Sequence, residues 1–199
     1  MLRRNEAVGM SLFHYIGSSK ELPLGERGRR KSSADKSSGK LTKAIRFRSA
    51  HLPEGAIPLE QIVDLSHIQE DEIEVYDSME DAAGIYIQDL GTWNGEIRGH
   101  FTNPFVYQIA ANWGGFSVHP NLKENFPEQY KAHVKCIREL FDLMKEYGSD
   151  HEQFELYTCW DGEEKQRKNE KLHKIIDLKI FQLGDEFELK DKQYILIKT

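Results

Sequence analysis

The sequence predicts an α+β domain: a largely antiparallel, twisted sheet with one long amphipathic helix packed on it and a few short helices. Three observations carry this. Residues 126–148 repeat apolar side chains every three or four positions, as one face of a helix requires. Short apolar runs with strand-like alternation outnumber helical stretches. The connections between those runs are mostly too short for parallel crossovers.

Taken in order, residues 1–9 read as a disordered tail before Met10, and residues 10–199 as one domain. SLFHYI (11–16) is a short strand of large and aromatic residues, closed by the turn-prone Gly17-Ser18-Ser19. The run GRRKSSADKSSGK (28–40) is basic and serine-rich, with no apolar side chain larger than Ala34, and predicts a flexible loop at about 27–42. A solvated loop is one reading of it. A phosphate-attracting or phosphorylatable arm is the other, since Arg29, Arg30 and Lys31 precede Ser32 and Ser33. AIRFRSA (44–50) and EIEVY (72–76) alternate as half-exposed strands, and Pro58 opens a short helix, PLEQIVDL. Ser78 and Asp81 form a capping box for a helix carrying Met79, Ala82, Ala83, Ile85 and Tyr86.

Residues 91–103 are a glycine-punctuated loop, and PFVYQIAAN (104–112) is a buried strand broken by Gly114-Gly115. SVHPN then turns into the long helix. Asn125 is its expected N-cap, Pro127 a first-turn proline and Gly148 a left-handed C-terminal residue. Its stripe is Tyr130, Val134, Ile137, Leu140, Phe141, Met144 and Tyr147. Buried on a sheet, these contribute a gross term of roughly 10–20 kcal/mol. QFELYTCW (153–160) is a strand, DGEEKQRKNEKLHK a highly charged helix, and IIDLKIF (175–181), EFEL (186–189) and QYILIK (193–198) are strands.

A net charge of −6 argues against a chain whose main partner is a polyanion, and its basic residues are not interleaved with aromatics on a sheet face. No stretch approaches the ~18 apolar residues of a membrane span. Cys136 and Cys159 form no CxxC pair, which fits neither a disulfide framework nor a zinc ribbon and suggests a reducing, cytoplasmic setting. His133 and Cys136 share helical spacing, but two ligands make no metal site. GxSxG, GxGxxG and P-loop motifs are missing from the sequence.

Three stretches carry a family likeness. Phe13-His14-Tyr15 lies on the first strand, ahead of Leu22-Pro23-Leu24-Gly25. Tyr76-Asp77-Ser78 precedes the capped helix at 79–83. Phe105-Val106-Tyr107-Gln108-Ile109 leads through Gly114-Gly115-Phe116 to His119-Pro120-Asn121-Leu122. In this order they resemble the rifampin-type, diphtheria-toxin-like ADP-ribosyltransferases. The resemblance implies an enzyme, or a lapsed one, with NAD as donor substrate. His14 would bind the adenosine-side ribose and Tyr76 would stack on the nicotinamide, with Tyr15, Gly17 and Tyr86 completing the cofactor set. Transfer through an oxocarbenium-like centre also asks for a carboxylate. Where the family places an acidic residue before the Pro-Asn turn, this chain has Ser117-Val118-His119. Asp161, Glu163 or Glu164 could supply the carboxylate from another strand end, as in other branches of the superfamily that the chain resembles, and Glu163 is taken as the catalytic one beside His14 and Tyr76.

Each of these residues also fits a plain structural role. His14 suits a hydrogen-bonded strand histidine, Tyr76 a sheet aromatic with its hydroxyl at the surface, and Asp161–Glu164 a helix cap and first turn. The competing functional reading is a non-catalytic protein-interaction domain, of immunity or antagonist type. It would use exposed aromatics such as Trp93, Phe101 and Trp113.

Overall fold

β1 (Leu12–Ser18) lies at the middle of the main sheet in the computed structural model, which describes residues 11–39, 42–48, 67–91, 95–149 and 152–199. The other strands of that sheet are β2 (Gly25–Arg27), β5 (Gly84–Asp89), β6 (Phe105–Asn112), β8 (Gln153–Trp160), β9 (Lys174–Asp177) and β11 (Tyr194–Lys198). Their order across the sheet is β2-β5-β6-β1-β8-β11-β9, and every pairing is antiparallel except β11 with β9. Two small sheets flank it. One joins β3 (Ala44–Phe47) to β4 (Ile73–Tyr76) in parallel, the other β7 (Ser117–Val118) to β10 (Phe187–Glu188). The α+β class holds, with one long helix, α3 (Pro127–Tyr147), on one face of the main sheet.

The α3 stripe does what its spacing predicts. Ile137, Leu140, Phe141 and Met144 are buried, while Tyr130, Val134 and Tyr147 pack at its margin. Beneath them lie the sheet residues of matching parity: Ile85 and Ile87, Ile109, Ile16, Leu156, and Ile195 and Ile197. The opposite face of the sheet is covered too. Tyr15, Val106, Tyr157 and Cys159 pack there under Leu90 and Ile97. This second layer explains why β8, read as alternating, is buried at six consecutive positions from Phe154 to Cys159.

Several local expectations change. The capping interaction at Ser78 forms, its hydroxyl accepting from the Asp81 amide at 3.1 Å, but the helix it starts, α1 (Met79–Ala82), is only four residues long. Ile85 and Tyr86 belong instead to β5, where period-two burial wins over helical spacing. A short helix, α2 (Pro120–Asn125), occupies what reads as a turn, capped by the His119 ring accepting from the Leu122 amide. Asn125 therefore ends α2 and Phe126 stands at the N-cap of α3. Gly148 is extended (φ −79°) rather than left-handed, and a Cβ there would lie 2.6 Å from the Met144 carbonyl oxygen and from the Thr199 side chain. The charged stretch 161–174 is not a helix. It is turns and one 3-10 turn, Glu170–Leu172, held by partners elsewhere: Asn169 N donates to Lys192 O, and Lys165 pairs with Glu96. The helix expected at PLEQIVDL and the tail before Met10 lie outside the described residues.

The basic serine-rich segment is the largest departure. Rather than extending into solvent, residues 28–39 run beside β4 and α1. Ser32 N donates to Val75 O, Arg30 N to Asp81 O and Ser38 N to Asp71 O, each at 2.8 Å. The Arg29 guanidinium pairs with Glu26 and Glu74, and Arg30 Nε donates to Asp81 Oδ1 at 2.9 Å. Ser32 is buried and its hydroxyl donates to Asp77. Composition alone misses this because the carboxylates that bind the segment lie some 40 to 50 positions further along the chain.

Candidate functional site

Period-two geometry puts His14 and its neighbours Tyr15 and Gly17 on opposite faces of β1. His14 projects onto the α3 side of β1, opposite Ile109 and Thr158. Its Nδ1 is hydrogen-bonded to Thr158 Oγ1 at 2.9 Å, and its ring meets Phe116 edge-on at 5.0 Å. Tyr15 and Gly17 point to the other face, and the Tyr15 hydroxyl is buried without a hydrogen-bond partner. Tyr76 sits on β4, in a different sheet, fully buried. Its hydroxyl donates to Glu74 at 2.9 Å, and the Arg29 guanidinium lies over its ring at 4.9 Å. The guanidinium thus covers one face of the ring on which the resemblance would stack nicotinamide. Glu163 pairs with Lys192 at 3.0 Å beyond the end of β8, and Tyr86 is exposed on β5. Among the described residues His14, Tyr76 and Glu163 share no partner: His14 bonds Thr158, Tyr76 bonds Glu74 and Glu163 pairs with Lys192.

The electrostatics agree with structural roles. Burial lowers the His14 pKa to about 4, so its imidazole is neutral at physiological pH. Burial works to raise Glu74, but the hydrogen bonds of Lys31 and Tyr76 and the charge of Arg29 outweigh it and hold the carboxyl down at about 2. The Cys136 and Cys159 thiols are pushed up to about 11 and about 12 by burial, so neither is a thiolate nucleophile near neutrality. His133 and Cys136 do not converge either: His133 Nδ1 donates to Ser117 O, and the Cys136 thiol donates to Gly84 O. Among the described residues no three His, Cys, Asp or Glu side chains are placed to hold a metal ion.

His14 makes a pH prediction. Its folded pKa lies below the unfolded value of about 6.5, so the unfolded chain takes up the proton first. The stabilisation is complete above about 6.5 and is lost as pH falls toward 4. Between pH 7 and pH 5 it amounts to about 2 kcal/mol. Urea unfolding at both pH values should show this loss in the native chain and a clearly smaller one in His14→Gln; equal losses would remove His14 as the cause.

What the structure does assemble lies at the β9 edge. β9 is the last strand of the main sheet, and among the described residues nothing pairs with its outer side. The turn after it is tight. Asp177 O accepts from Ile180 N and Phe181 N, while Asp177 Oδ1 accepts from Lys179 N. That turn throws Ile180 outward, 80% exposed, and Ile175 on the strand is 66% exposed. Phe181 folds the other way, onto Phe141 of α3 at 5.1 Å, and Phe187 of β10 meets the same ring at 5.6 Å. Between β9 and β10 this leaves a groove of about 480 Å³, with an apolar floor and with Asp177, Glu186, Glu188 and Lys174 around it. A second hollow of about 500 Å³ shares Lys174 and residues 186–188 and continues toward β7 and His119. Sequence reading missed Ile180 and Phe181 as surface features. The available signal is that apolar residues continue past the strand in IIDLKIF, where a turn should be polar.

Of the aromatics expected to be exposed, Trp113 is so (44%), with its ring edge-on to Phe47, whereas Phe101 packs into the second core layer. Trp93 lies outside the described residues. No helix among the described residues is long and apolar enough to cross a membrane. The chain matches no family model, and no curated protein or solved structure is significantly similar to it.

Proposed function

We propose that this chain is a non-catalytic interaction domain that docks a partner protein along the β9 edge. The observation that supports it is the placement of Ile180 and Ile175, the two most exposed large apolar side chains among the described residues, at one unpaired sheet edge beside a groove. Sheet edges invite pairing, and chains that must stay monomeric blunt them with charges, bulges or covering segments. Two isoleucines at an edge act in the opposite direction, and exposed apolar surface next to a groove suits recognition. The groove offers an apolar floor, backbone and carboxylates, and no paired nucleophile and base.

The test places a photo-crosslinking amino acid at Ile180, at Ile175 and, as control, at exposed Glu128 on the far end of α3, in the full chain in its native cells. Discrete adducts from 175 and 180 but not from 128 are expected; none, or the same adducts from all three, would overturn the reading. Incubation with NAD is the second arm. Nicotinamide release that disappears in His14→Ala, with an unchanged melting temperature, would establish the transferase implied by the family resemblance and displace this proposal.

A further inference from the structure

Resting on that reading, we infer that the occupant of the groove is an extended, cationic segment of a partner protein that pairs with β9 as an eighth strand of the main sheet. Strand addition needs an edge with free backbone groups, room for a strand next to it, and pockets or walls for alternate side chains. All three are here. The outer side of Lys174–Asp177 carries no backbone bond to another strand among the described residues, and the only extra use of its groups is the turn on Asp177 O. The groove runs along this edge as far as Phe187 and Glu188. Alternate side chains of an added strand would rest on Phe181 and Phe187 on one side and against Ile175 on the other.

Charge selects the occupant. Asp177, Glu186 and Glu188 line the groove against Lys174 alone, and the whole chain carries −6. Among the described residues Glu186, which is exposed, makes no ion pair, and Glu188 makes only a long one, to Lys190 at 3.7 Å. Lysine or arginine at the ends of an apolar extended segment would satisfy them, and an acidic segment would be repelled.

A second copy of the chain fits less well. Antiparallel pairing of β9 with itself about a two-fold axis must centre on a residue, since paired residues share a face of the sheet. Centred on Ile175 it sets Lys174 against Ile176; centred on Ile176 it sets Ile175 against Asp177. Neither register brings Lys174 to Asp177, and both bring two acidic grooves together.

The experiment pans a display library of random decapeptides against the full-length protein. Enriched peptides should alternate apolar residues and carry lysine or arginine, and should shift the backbone amides of 174–177 in NMR spectra. N-methylation of alternate peptide amides should abolish binding. The double variant Glu186→Lys, Glu188→Lys, both on exposed side chains, should weaken binding about tenfold with an unchanged melting temperature. An acidic or helical consensus, no consensus, indifference to N-methylation, or a concentration-dependent dimer lost in Ile175→Lys would overturn the inference. Crosslinks from Ile180 without strand-pairing peptides would sink it while leaving the interaction reading in place; the absence of both would remove both.

Discussion

Glu155→Ala should cost about 3–5 kcal/mol of folding stability, the largest effect expected of any single polar substitution in this chain. Glu155 is 1% exposed on β8, yet its carboxylate is fully used. Oε1 accepts from Thr102 N at 2.9 Å and from the Tyr194 hydroxyl at 2.6 Å, and Oε2 accepts from Asn103 N at 2.7 Å. Truncation takes the acceptor away from two backbone amides and a phenol that are part-buried, and each group left unpaired carries a desolvation cost of up to roughly 1–3 kcal/mol. It also frees the loop at 101–103, which helps close the second core layer over Tyr15 and Tyr157. Gly17 belongs to the same arrangement, since a Cβ there would lie 2.6 Å from Phe101 Cδ1 and 3.1 Å from Glu155 Oε2. Urea unfolding gives the magnitude. Hydrogen exchange should show the Thr102 and Asn103 amides losing protection first. A loss under about 1 kcal/mol would mean that water replaces the carboxylate and that the tether is incidental.

Gly84→Ala should cost about 3 kcal/mol, at the upper end of overpacking effects. A Cβ at this position would lie 2.2 Å from the Arg27 carbonyl oxygen and 3.2 Å from its carbon. The obstacle is backbone of the neighbouring strand, so no rotamer change relieves it and β2 must move away from β5. Gly84 is pinned from the other side as well, its carbonyl accepting from the Cys136 thiol of α3 at 3.1 Å. Displacing β2 loosens the segment at 28–39 that follows it, so protection should fall at the Arg30 and Ser32 amides before the α3 core. Gly184→Ala is the control: a Cβ there meets open space, and the change should stay within about 1 kcal/mol. Similar losses at both glycines would indicate a general backbone effect rather than the β2–β5 contact.

The legibility of the chain follows the range of the interactions involved. α3 was readable because Ile137, Leu140, Phe141 and Met144 encode one face by spacing alone, and β1, β6, β8 and β11 because apolar runs of strand length need no remote information. Elements that fail the same reading answer to distant partners. The stretch at 161–174 has helix-forming composition, but its backbone and side chains bind Lys192, Glu96 and the Tyr194 ring instead. Ile85 and Tyr86 continue a helical pattern locally, but pairing with Ala111 and Ala110 of β6 makes them strand. The candidate site was legible only as separate residues. His14, Tyr76 and Glu163 were each worth naming, and each proves to have a nearby partner that the spacing could not reveal.

By itself, then, the sequence determined the class of fold, the long helix and most of the central strands, because hydrophobic period is a local property and burial rewards it directly. Tertiary structure alone decided that the basic segment at 28–39 docks on β4, that His14 and Tyr76 answer to different sheets, and that β9 ends the main sheet with Ile175 and Ile180 uncovered. Those outcomes depend on which strands become neighbours and which carboxylates face which cations, and both are set by chain closure over tens of residues.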